Sequence, residues 1–84
     1  MGRTYVVEQY WPGVTEAEFR AAAARVRTVA AALDGVRVLH LTFVPRDEAG
    51  FGVVAAPSSV LVAEAYRRAG VAYERILDAV EVGA

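Results

Sequence analysis

Residues 3–10 mix apolar and polar positions, with the β-formers Tyr5, Val6 and Val7 at their centre, and Trp11-Pro12-Gly13 then breaks the run. Proline cannot donate to a strand ladder and Pro-Gly favours a turn, so the segment predicts a first strand. Beyond it the apolar period lengthens. Phe19, Ala22, Val26, Val29, Ala30 and Leu33 recur every three or four residues and share one helical stripe. Thr15-Glu16-Ala17-Glu18 has the spacing of a capping box, with Val14 and Phe19 placed for a hydrophobic staple. Asp34-Gly35 supplies the stop. A helix is therefore predicted from this cap to about residue 33.

Residues 36–44, VRVLHLTFV, predict a second strand, and residues 51–56 a third. Between them, residues 45–50 read as a polar turn with Asp47 and Glu48 in solvent. So short a connection makes the two strands an antiparallel hairpin. Ala56-Pro57-Ser58 ends the third strand, and Ser58 or Ser59 caps a second helix. Its apolar face is Leu61, Val62, Ala65, Tyr66 and Ala69, and Gly70 closes it. A fourth strand follows, from residue 74 or 75 to 82. The order βαββαβ predicts a ferredoxin-like α+β fold, a four-stranded antiparallel sheet with both helices on one face. At 84 residues, the chain is expected to form a single domain over 1–84.

The face of such a sheet away from the helices should be polar, yet the pattern does not alternate cleanly. Strict alternation puts Val36, Val38, His40, Thr42 and Val44 on one side of the second strand, and Arg37, Leu39, Leu41 and Phe43 on the other. The fourth strand divides into Ile76, Asp78, Val80 and Val82 against Leu77, Ala79 and Glu81. Apolar residues stand on both faces, and 56% of the chain is hydrophobic, high for a small domain. An exposed apolar sheet face of several hundred Å² is unusual for a monomer. A homodimer that covers it is the expectation.

Charge and composition narrow the chemistry. Nine basic and ten acidic residues leave a net charge of −1, a poor match to the cationic footprint of a nucleic-acid binder. No apolar run reaches the length of a membrane span, and the N-terminus lacks the apolar stretch of a secretory signal. There is no cysteine, hence no disulfide framework and no thiolate metal site. A cytoplasmic protein is expected. No phosphate loop or dinucleotide fingerprint is present.

Three longer stretches carry a resemblance. YVVEQYWPGVTEAEF, VLHLTFVPRDEAGFGVVAAPSS and YRRAGVAYERILDAVEV together resemble a family of small bacterial proteins of unknown function, one branch of which is described as nickel-binding or nickel-responsive. The telling parts are E-x-Y-x-P-G-x-T before the first helix, F-V-P-x-D-E in the hairpin, A-P-S before the second helix and R-A-G-x-x-Y-x-R-I at the close. The family is similar in fold to dimeric α+β-barrel proteins. The resemblance implies that Ni(II) can be a ligand. Nickel favours imidazole, and His40 is the one histidine, so a metal site would need His40 with carboxylates, or two His40 side chains meeting across a dimer axis.

Four residues stand out as ligand contacts. Glu8 is a carboxylate on a central strand, where it needs a solvated cavity, an interface or a cationic partner such as Arg75. Tyr10 ends the first strand and offers a polar tip on an apolar body. His40 lies mid-strand among apolar neighbours. Tyr66 sits on the second helix and can point into the space between helices and sheet. These suggest a small-ligand-binding protein, with its pocket between sheet and helices or at a homodimer interface. A cofactor-free isomerase, cyclase or monooxygenase-like enzyme acting on an apolar substrate is the second reading, with His40 or Glu8 moving a proton. A divalent metal binder and a structural dimerisation module are the others.

Overall fold

A computed structural model describes residues 2–83. Four strands and two helices follow one another as expected: β1 (Arg3–Tyr10), α1 (Glu16–Ala31), β2 (Arg37–Val44), β3 (Ala49–Ala56), α2 (Ser59–Ala69) and β4 (Arg75–Ala79). The sheet order is β2-β3-β1-β4, and every pairing is antiparallel. This is the ferredoxin-like α+β arrangement. β1 and β3 are central; β2 and β4 are the edges.

The local signals act as the residue types require. Glu18 N donates to Thr15 Oγ1 at 3.1 Å, and Thr15 N donates to Glu18 Oε1 at 2.9 Å, closing the capping box. Gly70 ends α2 at φ +70°, where its missing Cβ avoids the left-handed penalty. Ser58 takes the N-cap position of α2 without a side-chain hydrogen bond. Arg25, on α1, instead donates from Nε to the Ala69 carbonyl at the far end of α2, at 3.0 Å, satisfying one orphan acceptor there.

Packing follows strand parity. Tyr5, Val7 and Gln9 of β1 alternate toward the helices and are buried. Val54 and Ala56 of β3 do the same, and meet Val26 and Ala30 of α1 and Val62 and Tyr66 of α2 in one core. Burial of each such valine contributes about 1.5–3 kcal/mol, so the layer between sheet and helices holds most of the stability.

Three features depart from the sequence reading. The third strand starts at Ala49, two residues earlier than expected, so Gly50 joins Gly52 inside it and both face the helices. Their lack of side chains makes room for two aromatics: a Cβ on Gly50 would collide with the Phe19 ring, and one on Gly52 with the Tyr66 hydroxyl. Next, β2 carries a bulge. Val38 pairs with Val54 and His40 with Val53, leaving Leu39 without a partner. One extra residue reverses the alternation beyond it. Arg37, His40, Thr42 and Val44 therefore face away from the helices, while Leu41 and Phe43 turn toward them with Val38. Finally, β4 ends at Ala79, and Val80 and Val82 stand exposed beyond it.

The turn before β3 is a single 3-10 turn over Pro45–Asp47, closed by Glu48 at φ +51°. A non-glycine residue in that region costs about 1 kcal/mol. Glu48 is kept there by its contacts rather than standing free in solvent. Its N–H donates to the Pro45 carbonyl at 3.1 Å, and its own carbonyl accepts from Trp11 N at 2.8 Å. Its carboxylate accepts from Gly13 N at 2.5 Å. Glu48 thus clamps the Trp-Pro-Gly turn to the hairpin, a link the sequence alone did not signal.

Candidate functional site

The helix-free face of the sheet can be read as rows of opposed residues. One row runs His40, Val53, Val6, Leu77; the next runs Thr42, Phe51, Glu8, Arg75. Its middle is apolar, with Phe51 38% exposed. Polar residues of β2 line one edge, and an ion pair occupies the opposite corner. There Arg75 Nε donates to Glu8 Oε1 at 2.7 Å. The carboxylate of the central strand is therefore neutralised by its cross-strand neighbour, the partner the sequence suggested.

Glu8, Tyr10 and His40 share this face but do not converge. Tyr10 stands at the end of β1, 58% exposed. His40 is two strands from Glu8 and one row away, about 10 Å or more at ordinary strand spacing. No acid–base pair of these residues is assembled. The metal expectation meets the same separation. Among the described residues, no group of three or more His, Cys, Asp and Glu stands close enough to hold an ion. His40 offers one imidazole, and Glu8 is engaged by Arg75, so one chain's donors do not fit a nickel ion. Calorimetric titration of nickel(II) is accordingly expected to give the same weak response for wild type and His40→Ala. Affinity below about 10 μM that depends on His40 would mean that a second chain completes the donor set.

Tyr66 lies on the other side of the sheet, in the core. Only 1% exposed, it meets the ring of Tyr73 edge-on at 5.8 Å. Its hydroxyl finds no hydrogen-bond partner among the described residues, and burial pushes its pKa up to about 12. Beside it, among Gln9, Leu41, Val71 and α1, is a void of about 10 Å³, the space of a single water. Gln9 is a buried polar side chain too, held by donation from Nε2 to the Ala72 carbonyl at 3.1 Å. The sequence reading passed over Gln9; its position two residues after Val7 and four after Tyr5 was the available signal. Tyr66 thus points between helices and sheet as anticipated, but into packing rather than an open pocket.

The open space lies elsewhere. A groove of about 600 Å³ runs between α1 and the edge strand β2, within the range of small-molecule sites. Phe19 and Phe43 form its floor, their rings stacked at 5.0 Å and 18°. Ala23 and Ala24 form the helix wall, where the absence of longer side chains leaves the space open. Arg20 and Arg27 stand along the rim; Thr42 borders the groove from the edge strand, its side chain turned to the other face of the sheet. Arg20 Nε donates to Glu16 Oε2 at 2.8 Å, whereas among the described residues Arg27 reaches only the Val38 carbonyl, at 3.5 Å. None of Glu8, Tyr10, His40 and Tyr66 lines this groove. The signal was present in the sequence as the Arg-x-x-Ala-Ala-x-x-Arg spacing of residues 20–27, but only the bulge in β2 brings Phe43 round to face it.

On α2, Arg67 and Arg68 are not free in solvent either. Both donate to Glu64, at 2.7 and 2.6 Å, and hold its carboxyl below the usual range.

No protein-family model matches the chain, and neither does any curated protein or solved structure. No helix among the described residues is long and apolar enough to cross a membrane. The class is set by the fold: a small ferredoxin-like α+β domain with a lateral groove and a half-apolar sheet face.

Proposed function

We propose that this protein binds a small molecule in the groove between α1 and β2. The observation that carries the reading is the open volume itself, about 600 Å³ beside the stacked Phe19–Phe43 pair, with Arg20 and Arg27 at its rim. Concave spaces of this size, lined by apolar side chains with a few polar groups, are where small molecules are held. Backbone amide spectra of the chain, titrated with a mixed library of fragment-sized compounds, test it. Shifts clustered at Ala23, Ala24, Thr42 and Phe43 are expected; a library that moves none of these amides would end the reading.

A homodimer is proposed as the working form, on the separate strength of the helix-free sheet face. Phe51, Val53, Val6 and Leu77 make a contiguous apolar centre there, which a second copy would cover by packing sheet on sheet. The Glu8–Arg75 pair could enter such an interface already neutralised, which limits the desolvation cost. Light scattering on a sizing column is expected to give twice the chain mass. Val53→Lys would place an ammonium at the centre of the face and is expected to give a folded monomer, with its far-ultraviolet dichroism unchanged. A wild-type protein that runs as a monomer at about 100 μM would refute the dimer, because cognate dimers of even modest affinity persist at that concentration.

A further inference from the structure

The groove's chemistry is more specific than its volume. The aromatic surface that lines it is Phe43, half-buried and stacked on the buried Phe19, and its helix wall is two alanines, so a flat body can lie between helix and strand. Arg20 and Arg27 flank those alanines seven residues apart on one stripe of α1, two turns or about 10 Å. The two guanidiniums are not equivalent. Glu16 neutralises Arg20 at 2.8 Å. Among the described residues Arg27 has no carboxylate partner, and its one acceptor is the Val38 carbonyl at 3.5 Å. The rim therefore presents one committed cation and one available cation.

We infer that the groove selects a planar aromatic carboxylate, its ring system against Phe43 and its carboxylate on Arg27. A guanidinium presents two parallel N–H donors that match a carboxylate edge, which a neutral hydroxyl cannot exploit. The aromatic floor supplies stacking surface for the rest of the molecule. A cationic ligand of the same shape would be opposed by Arg27 and would gain only Glu16, which Arg20 already occupies. This selection rests on the proposed small-molecule reading of the same groove and adds a ligand class to it.

The test compares three probes of one shape on the full chain: 2-naphthoate, 2-naphthylmethanol and 2-naphthylmethylammonium, each followed by amide shifts. Naphthoate is expected to bind about tenfold or more tightly than the alcohol, as a charge-assisted bidentate contact allows, with the ammonium weakest. Raising salt from about 50 to about 500 mM should erode that advantage severalfold. In Arg27→Gln the acid and alcohol should converge to within about threefold, chiefly through loss of the acid's affinity. Equal binding of acid and alcohol by wild type would overturn the anion selection and leave the small-molecule reading intact. Retention of the full discrimination in Arg27→Gln would overturn the assignment to Arg27. If none of the three probes moves the groove amides, this inference fails; the broader reading fails only if the mixed library is silent as well.

Discussion

Gly52→Val is expected to abolish the cooperative unfolding transition at 25 °C, and Gly52→Ala to cost about 2 kcal/mol, in the range of core overpacking. Gly52 lies mid-strand on the helix side of β3. A Cβ there would stand 2.5 Å from the Tyr66 hydroxyl oxygen and 2.9 Å from Cδ2 of Leu41. Propensity pulls the other way, since glycine inside a strand is up to about 1 kcal/mol worse than alanine. The clash decides the sign because Tyr66 cannot step aside: it is buried under α2 and meets the ring of Tyr73. Leu41 can turn its methyl away. The obstacle is thus a single oxygen, which gives the prediction a sharp control. Without that hydroxyl the nearest Tyr66 atom is ring Cζ at 3.8 Å, an ordinary contact. In a Tyr66→Phe background Gly52→Ala should therefore cost about 1 kcal/mol less or better, a coupling typical of residues in direct contact. Urea unfolding of the four proteins measures it. An equal loss in both backgrounds would show that Tyr66 is not what the alanine meets.

The second large effect is alkaline. Tyr66 has an ordinary pKa of 10.0, pushed up to about 12 by burial. Between those values the unfolded chain has released the proton and the folded chain still holds it, so stability falls as pH rises. Below pH 10 both states are protonated and the residue contributes no slope. Two pH units correspond to a loss of roughly 3 kcal/mol, a large share of the stability of a small domain. Tyr66→Phe should remove this loss. It should also raise stability at neutral pH by about 1 kcal/mol, because a buried hydroxyl without a partner goes with it. The measurement is the difference in unfolding free energy between wild type and Tyr66→Phe from pH 9 to 12. A difference that stays flat across the window would mean that the phenol is hydrated in the folded state and the burial argument fails.

Much of this fold was legible along the chain because its signals are local. The Thr15–Glu18 box, the Pro12-Gly13 stop, the Gly70 close and the helical stripe from Phe19 to Ala30 each involve residues within a few positions of one another. Glu8 with Arg75 was legible too, as a carboxylate on a central strand in search of a cation. The site was not. Its floor depends on Phe43 facing Phe19, and strict alternation from Val36 puts Phe43 on the opposite side of the sheet. Nothing in VRVLHLTFV distinguishes a regular strand from one with an extra residue at Leu39. Gly50 suffered similarly: in sequence it continues a polar turn, and only the Phe19 ring above it explains its place in a strand.

The order of residue types alone thus determined four strands, two capped helices and their antiparallel sequence, since backbone preference and apolar period are properties of short segments. Only the folded packing decided which face each side chain took past the bulge, why two glycines lie beneath two aromatics, and where an open groove remained. Those outcomes depend on strand register and on contacts between residues up to tens of positions apart, for which no single stretch of chain carries the information.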